Sequence, residues 1–276
     1  YNILMNGFAI TGLFFVAIPS AILGVFCLLR SRKKVHLIWS AFLISVALWG
    51  VGMFKVATSA TPENSLFWWR IAEVGVILIP VFLIHFVIAF LGLRRKILLV
   101  ASYSMGAFFI YLDLFTNYLI HDLYFAFNEF YYIKDTPFYT ALICFFVLTV
   151  IYAIYELNRV YEKSEGIIRT QIKYLILAFF IGFSGGVTSY PPVYEIKGIY
   201  PIWNGTIFIS ALMISYAILR YRLMDIRIII RKFVFYGIMA ALVYGFFYFL
   251  LWFYNSFLGG AYTAKTYAVG LVVAPT

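Results

Sequence analysis

Charge is scarce in this sequence. Only 12% of its 276 residues are Asp, Glu, Lys or Arg, and 64% are hydrophobic. A soluble domain carries about 25% charged and about 45–50% apolar residues. Mean hydropathy is +0.96. An ordinary cytosolic enzyme and a disordered chain are both excluded. Cysteine is scarcer still, with only Cys27 and Cys144, so there is no disulfide framework and no metal spacing. The apolar runs lack period-two alternation, which excludes a membrane β-barrel. There is no phosphate-binding glycine loop and no HExxH pair, and no buried carboxylate dyad is expected. The three histidines, His36, His85 and His121, fall at separate depths or on opposite sides, so no metal site is expected.

What is present is length in the apolar runs. A membrane-crossing helix needs about 20 consecutive apolar residues. Eight runs meet that need: Phe8–Leu29, Val35–Ala57, Ile71–Leu93, Ile97–Phe115, Phe138–Leu157, Tyr174–Tyr190, Ile202–Leu219 and Phe233–Leu258. A ninth begins near Tyr267. Continuous apolar runs read as helices, because lipid demands internally satisfied backbone. The expected fold is all-α, a polytopic bundle of about eight spans. Residues 1–232 form its main region; 233–276 add a span and the start of another. The first residue is Tyr1 and the last are Ala274-Pro275-Thr276, which reads as a piece of a longer protein. The first run is long and ends in a basic cluster, unlike a cleavable signal.

The basic residues set the orientation. Sixteen of 21 fall in the loops on the side of Arg30–Lys34; Lys55, Arg70, Lys134, Lys197 and Lys265 fall on the other. By the positive-inside rule, the first side is cytoplasmic and the N-terminus is outside. Topology and anionic lipid account for the formal charge of +10, so nucleic acid is not an expected partner. Trp68, Trp69, Tyr190, Tyr194, Tyr200 and Trp203 fall near the outer boundary, as an aromatic belt does.

The longest loop, Thr116–Pro137, is outside. It is rich in aromatics and predicts a short β-hairpin with Asn128-Glu129 at its turn. It either receives a ligand or seals the bundle. The inner loop Asn158–Lys173 predicts two helix extensions, broken at Gly166 and supported by Glu–Arg pairs. Gly182, Gly185 and Gly186 predict close helix packing. Pro19 and Pro80 predict kinks.

Ionisable groups at membrane depth are candidates for function. Lys55, Arg70, Glu73 and Asp113 lie at one outer level. They either pair and snorkel or contact a polar ligand. Trp69 and Asn204 are added as candidate ligand contacts. The stripe Asn204, Thr206, Ser210 and Ser215, with Ser184 and Thr188, either lines an outer cavity or bonds its own helices. His85 lies about 18 Å along its helix from Glu73 and about 120° around it. It reads as a core hydrogen-bonding residue. No catalytic residues are expected.

The most specific text is Ser215-Tyr-Ala-Ile-Leu-Arg-Tyr-Arg-Leu-Met-Asp-Ile226. It resembles the end of the N-terminal seven-transmembrane sensor region of bacterial membrane histidine kinases. Arg169-Thr-Gln-Ile-Lys-Tyr174 with Pro191-Pro192, Trp69-Arg70 followed by Pro80 and His85-Phe86, and the loop after Thr116-Asn117 are similar to the same family. The resemblance covers about residues 8–232. It implies a sensory input module in the bacterial cytoplasmic membrane, with an unknown extracellular ligand and a homodimer. It also implies domains not in this chain, which would use ATP and Mg and pass phosphate to a response regulator. No cofactor is expected here. Arg220, Tyr221, Arg222 and Asp225 would transmit the signal. The alternatives are a small-solute transporter or channel, which needs a continuous polar path, and an integral membrane enzyme.

Overall fold

The computed structural model describes residues 6–30, 33–196 and 198–220, with the side chains of Arg30 and 217–220 excepted. The span Phe233–Leu258, the run near Tyr267, and Tyr221, Arg222 and Asp225 lie outside the described residues. Arg220 is described by its backbone alone. Residues Met5–Ile218 form one compact unit.

Six described helices are long and apolar enough to cross a membrane: α1 (Gly7–Leu29), α2 (Lys34–Ala57), α3 (Pro62–Phe90), α4 (Lys96–Phe115), α5 (Pro137–Tyr161) and α6 (Gly166–Val193). They correspond to the first six predicted spans. The predicted seventh opens with a 3-10 turn, Pro201–Gly205, and continues as α7, Thr206–Arg220. Between α4 and α5 lies an antiparallel hairpin, β1 (Leu123–Ala126) and β2 (Phe130–Ile133).

Two helices begin with the same device. Thr61 and Thr136 cap α3 and α5, each accepting a hydrogen bond from a backbone N–H three residues on, and Pro62 and Pro137 follow at the first helical position. The threonine oxygen satisfies an orphan donor, and proline has none to lose there. This start corrects the predicted third span. The helix begins at Pro62, not Ile71, because the polar first turns Glu63 and Asn64 are helical too. Glu73 therefore lies about 16 Å along the helix from its start.

The second and third helices form the centre, and α3 also packs on α4 and α5. Helix α1 lies against α2 at glycine: a Cβ on Gly50 would collide with the backbone of Ala17 and Gly12. That contact falls where α1 is π-helical, Thr11–Ala17. The widened turns stop just before Pro19, which lacks an N–H and crowds the carbonyl four residues back. The predicted close packing holds for Gly182 and Gly185, which meet Ser210 and the Trp203–Thr206 turn; a Cβ on Gly186 would meet nothing within 4 Å.

Both predicted inner helix extensions are present. They meet at a turn before Gly166, whose φ is +59°. Glu156 and Arg159 form the expected pair at spacing three.

Candidate functional site

The hairpin register pairs Ala126 with Phe130, so three residues make the turn. Phe127 and Asn128 take left-handed φ of 55° and 58°. The turn thus sits one residue earlier than Asn128-Glu129. Asn tolerates that conformation; Phe does so rarely. Phe127 is held by its ring, 4.9 Å from Tyr200 and 5.9 Å from Phe130.

The hairpin is a packed cap, not a floppy loop. Phe130, Tyr132 and Ile133 are buried. Phe130 stacks on Phe8 of α1 with ring centres 4.4 Å apart. Tyr132 donates to the Ser189 carbonyl at 2.8 Å, and Tyr124 donates to the Pro192 carbonyl at 2.5 Å. Tyr200 donates to Glu129 Oε2 at 2.6 Å and accepts from the Phe8 N–H at 3.0 Å. Burial, and then the Glu129 carboxylate, push the Tyr200 hydroxyl pKa up, so it stays a donor.

Beneath the cap is a cavity of about 170 Å³ between α1, α2, α3, α5, α6 and α7. An apolar cavity of about 150 Å³ accommodates benzene. This one is elongated: its α2 wall runs from Trp39 to Trp49, about 15 Å at 1.5 Å per residue. Its walls are mainly aliphatic and aromatic. Its polar groups are few: Glu73, Tyr132, Tyr139, Ser189 and Tyr190 near the cap, and Ser210 deeper. The walls below Glu73 do not offer the continuous polar path that a small-solute transporter needs.

Glu73 is 1% exposed. Its Oε1 accepts from Tyr139 at 3.0 Å, and its Oε2 has no hydrogen-bond partner. Asp113 is also 1% exposed, and neither carboxyl oxygen has a partner. The two carboxyl groups lie within electrostatic reach of each other. The expectation that no buried carboxylate dyad exists is therefore corrected. The two residues sit on different helices, so no local spacing betrays them. Nor do they snorkel to the interface as expected: α3 begins early and carries Glu73 inward.

The other candidate residues are placed differently. Trp69 is buried, lines the cavity and donates to the Tyr131 carbonyl at 2.9 Å, so it belongs to the interior and not to a surface belt. Lys55 lies over the Trp68 ring at 5.3 Å. Arg70 donates to Asn117 Oδ1 at 2.7 Å, fastening the start of the outer loop. Among the described residues no ion pair joins Lys55, Arg70, Glu73 and Asp113. Asn204 is buried and bonds Ser189 at 2.8 Å. The Ser/Thr stripe divides between ties to other helices, bonds within its own helices, and Ser210 at the cavity wall. Thr206 donates to the Ile181 carbonyl, and Ser215 accepts from Trp39 Nε1. Ser184 and Thr188 bond their own helix. His85 meets the Tyr103 hydroxyl at 2.8 Å, so it is hydrogen-bonded as expected, but on the half-exposed side of α3 and not in the core.

One cluster escaped the sequence reading. At the inner end, buried Glu156 accepts from Tyr152 at 2.6 Å and pairs with Arg95 at 3.1 Å and Arg159 at 3.7 Å. It joins the α3–α4 turn to α5. The spacing to Arg159 was visible in sequence; Arg95, in another loop, was not. Among the described residues no group of three or more His, Cys, Asp or Glu is arranged to hold a metal ion.

Comparison with known proteins gives one finding. A family model described as the N-terminal 7TM region of histidine kinase matches residues 12–227. No curated protein matches the chain.

Proposed function

The chain belongs to the family of N-terminal 7TM regions of histidine kinases, and from that premise we infer that it is an integral membrane sensory input region whose signal is read in the capped cavity. The carrying observation is the cavity itself. The hairpin contributes Tyr132 to its wall, and the cavity touches six of the seven described helices. A ligand there favours one packing of those helices over another, which is the only way binding can shift a conformational equilibrium. Helix α7 contributes Ser210 and Ala211 to the cavity and runs on to Arg220. A small shift or rotation of α7 would pass to Arg220, Tyr221, Arg222 and Asp225, with the arginines anchored at the inner leaflet. The output belongs to domains outside this chain: autophosphorylation on histidine with ATP and Mg, in a homodimer, followed by transfer to a response regulator. The setting is the bacterial cytoplasmic membrane.

The test uses the complete kinase in membrane vesicles. Arg222→Ala should insert normally and change the rate of phosphate transfer from ATP to the histidine by severalfold. Unchanged phosphorylation in a correctly inserted variant refutes the transmission role.

A further inference from the structure

We propose that the capped cavity is a binding site for a small cationic amphiphile, an alkylammonium whose head meets Glu73 and whose tail fills the apolar slot beneath. This deepens the sensor reading and rests on it for its biological use, though the binding chemistry stands on the cavity alone.

The head position follows from what is already spent. Trp69 Nε1, the Tyr132 hydroxyl and the Tyr139 hydroxyl each donate within the protein. What remains near the cap is aromatic ring surface, the Tyr190 hydroxyl and Glu73, which lines the cavity and whose Oε2 has no hydrogen-bond partner. Ring faces attract cations. A buried carboxylate lacks a counter-charge here, and removing such a charge from water is costly unless it is paired. Asp113 is a second buried acid near Glu73, and among the described residues no Lys or Arg lines the cavity to receive an anion. The donor set of one free carboxyl oxygen and a hydroxyl among rings is too sparse for a bare metal ion and suits an organic ammonium.

The tail position follows from the rest of the wall. Inward of Glu73 the lining is Val, Ile, Leu, Phe and Trp, with Ser210 the polar exception. Ile151 lines the cavity and is also 59% exposed, and Val147 is 38% exposed. Among the described residues the cavity wall thus reaches the exposed surface of α5, which we assign to the bilayer, the phase in which an amphiphile dissolves.

The experiment places the chain in nanodiscs of zwitterionic lipid and follows the fluorescence of the cavity tryptophans. The probes are n-octylammonium, 1-octanol and octanoate. Octylammonium should bind saturably, and the other two at least tenfold more weakly. Glu73→Gln should bring octylammonium down to the level of octanol. Gly186→Leu should weaken all binding, since its side chain enters the slot without a Cβ clash. Should Glu73→Gln fail to fold, Glu73→Asp keeps the charge and withdraws it by one methylene; octylammonium should then bind more weakly. Equal affinity for the three probes, or an octylammonium affinity unmoved by either Glu73 variant, overturns the proposal and leaves the sensor reading standing. Octylammonium binding as expected, with complete kinase whose phosphorylation is the same for wild type and Gly186→Leu, refutes the sensor reading and leaves the site.

Discussion

Glu73 and Glu156 are hidden to the same degree, each 1% exposed, at opposite ends of the bundle. Their company differs. Glu156 has two arginines and a tyrosine hydroxyl, and it clamps a turn to a helix. Glu73 has one tyrosine hydroxyl and a free oxygen beside a cavity. A buried acid with its cations in place is a fastening. A buried acid without them is an unfinished pair, and the missing member has room to arrive. The same residue type is thus fully paired at the inner end and, on our proposal, a receiving group at the outer.

Substitution separates the two. The largest effect is expected at the inner end. Glu156→Gln should lower stability by about 1–3 kcal/mol, the range for losing charge-assisted hydrogen bonds, read as a fall in the thermal midpoint in nanodiscs. The half-exposed arginines keep it from being larger. Next is Tyr139→Phe, which takes from Glu73 its single partner and should cost about 1–2 kcal/mol. In a Glu73→Gln background the same change should cost less, and a double-mutant cycle measures the difference. Glu73→Gln alone should change stability by less than about 1 kcal/mol, since it removes an uncompensated buried charge. A loss as large as that of Glu156→Gln would erase the contrast. Smallest is Lys55→Ala: an exposed cation over Trp68 is worth about 0.5–1 kcal/mol, and ammonium binding should not change.

The contrast also marks where sequence reading reaches. Spans were legible, because lipid imposes a length and a composition that any window of 20 residues displays. The hairpin was legible from its aromatics and its Asn. The start of α3 was missed because hydropathy ignores caps, although Thr61-Pro62 spelled one. The common level of Glu73 and Asp113 was legible, but not that both would be buried without an ion pair, and the meeting of Glu156 with Arg95 was not legible. Each joins residues from separate helices or loops, and which faces turn together is decided by packing. Trp69 was read both as a belt residue and as a candidate ligand contact; it is buried and lines the cavity, which sets aside the belt and leaves the contact open. Tyr221, Arg222 and Asp225 lie outside the described residues, so their role rests on the resemblance.

The Tyr200 hydroxyl carries one more consequence. It holds the first turn of α1, through the Phe8 amide, and the tip of the hairpin, through Glu129. Phe8 N–H is a helix-start donor with no partner inside its own helix. Its proton is therefore shielded by a residue 192 positions away. Deuterium uptake at that single amide times the lifting of the cap, and a molecule seated below should slow it.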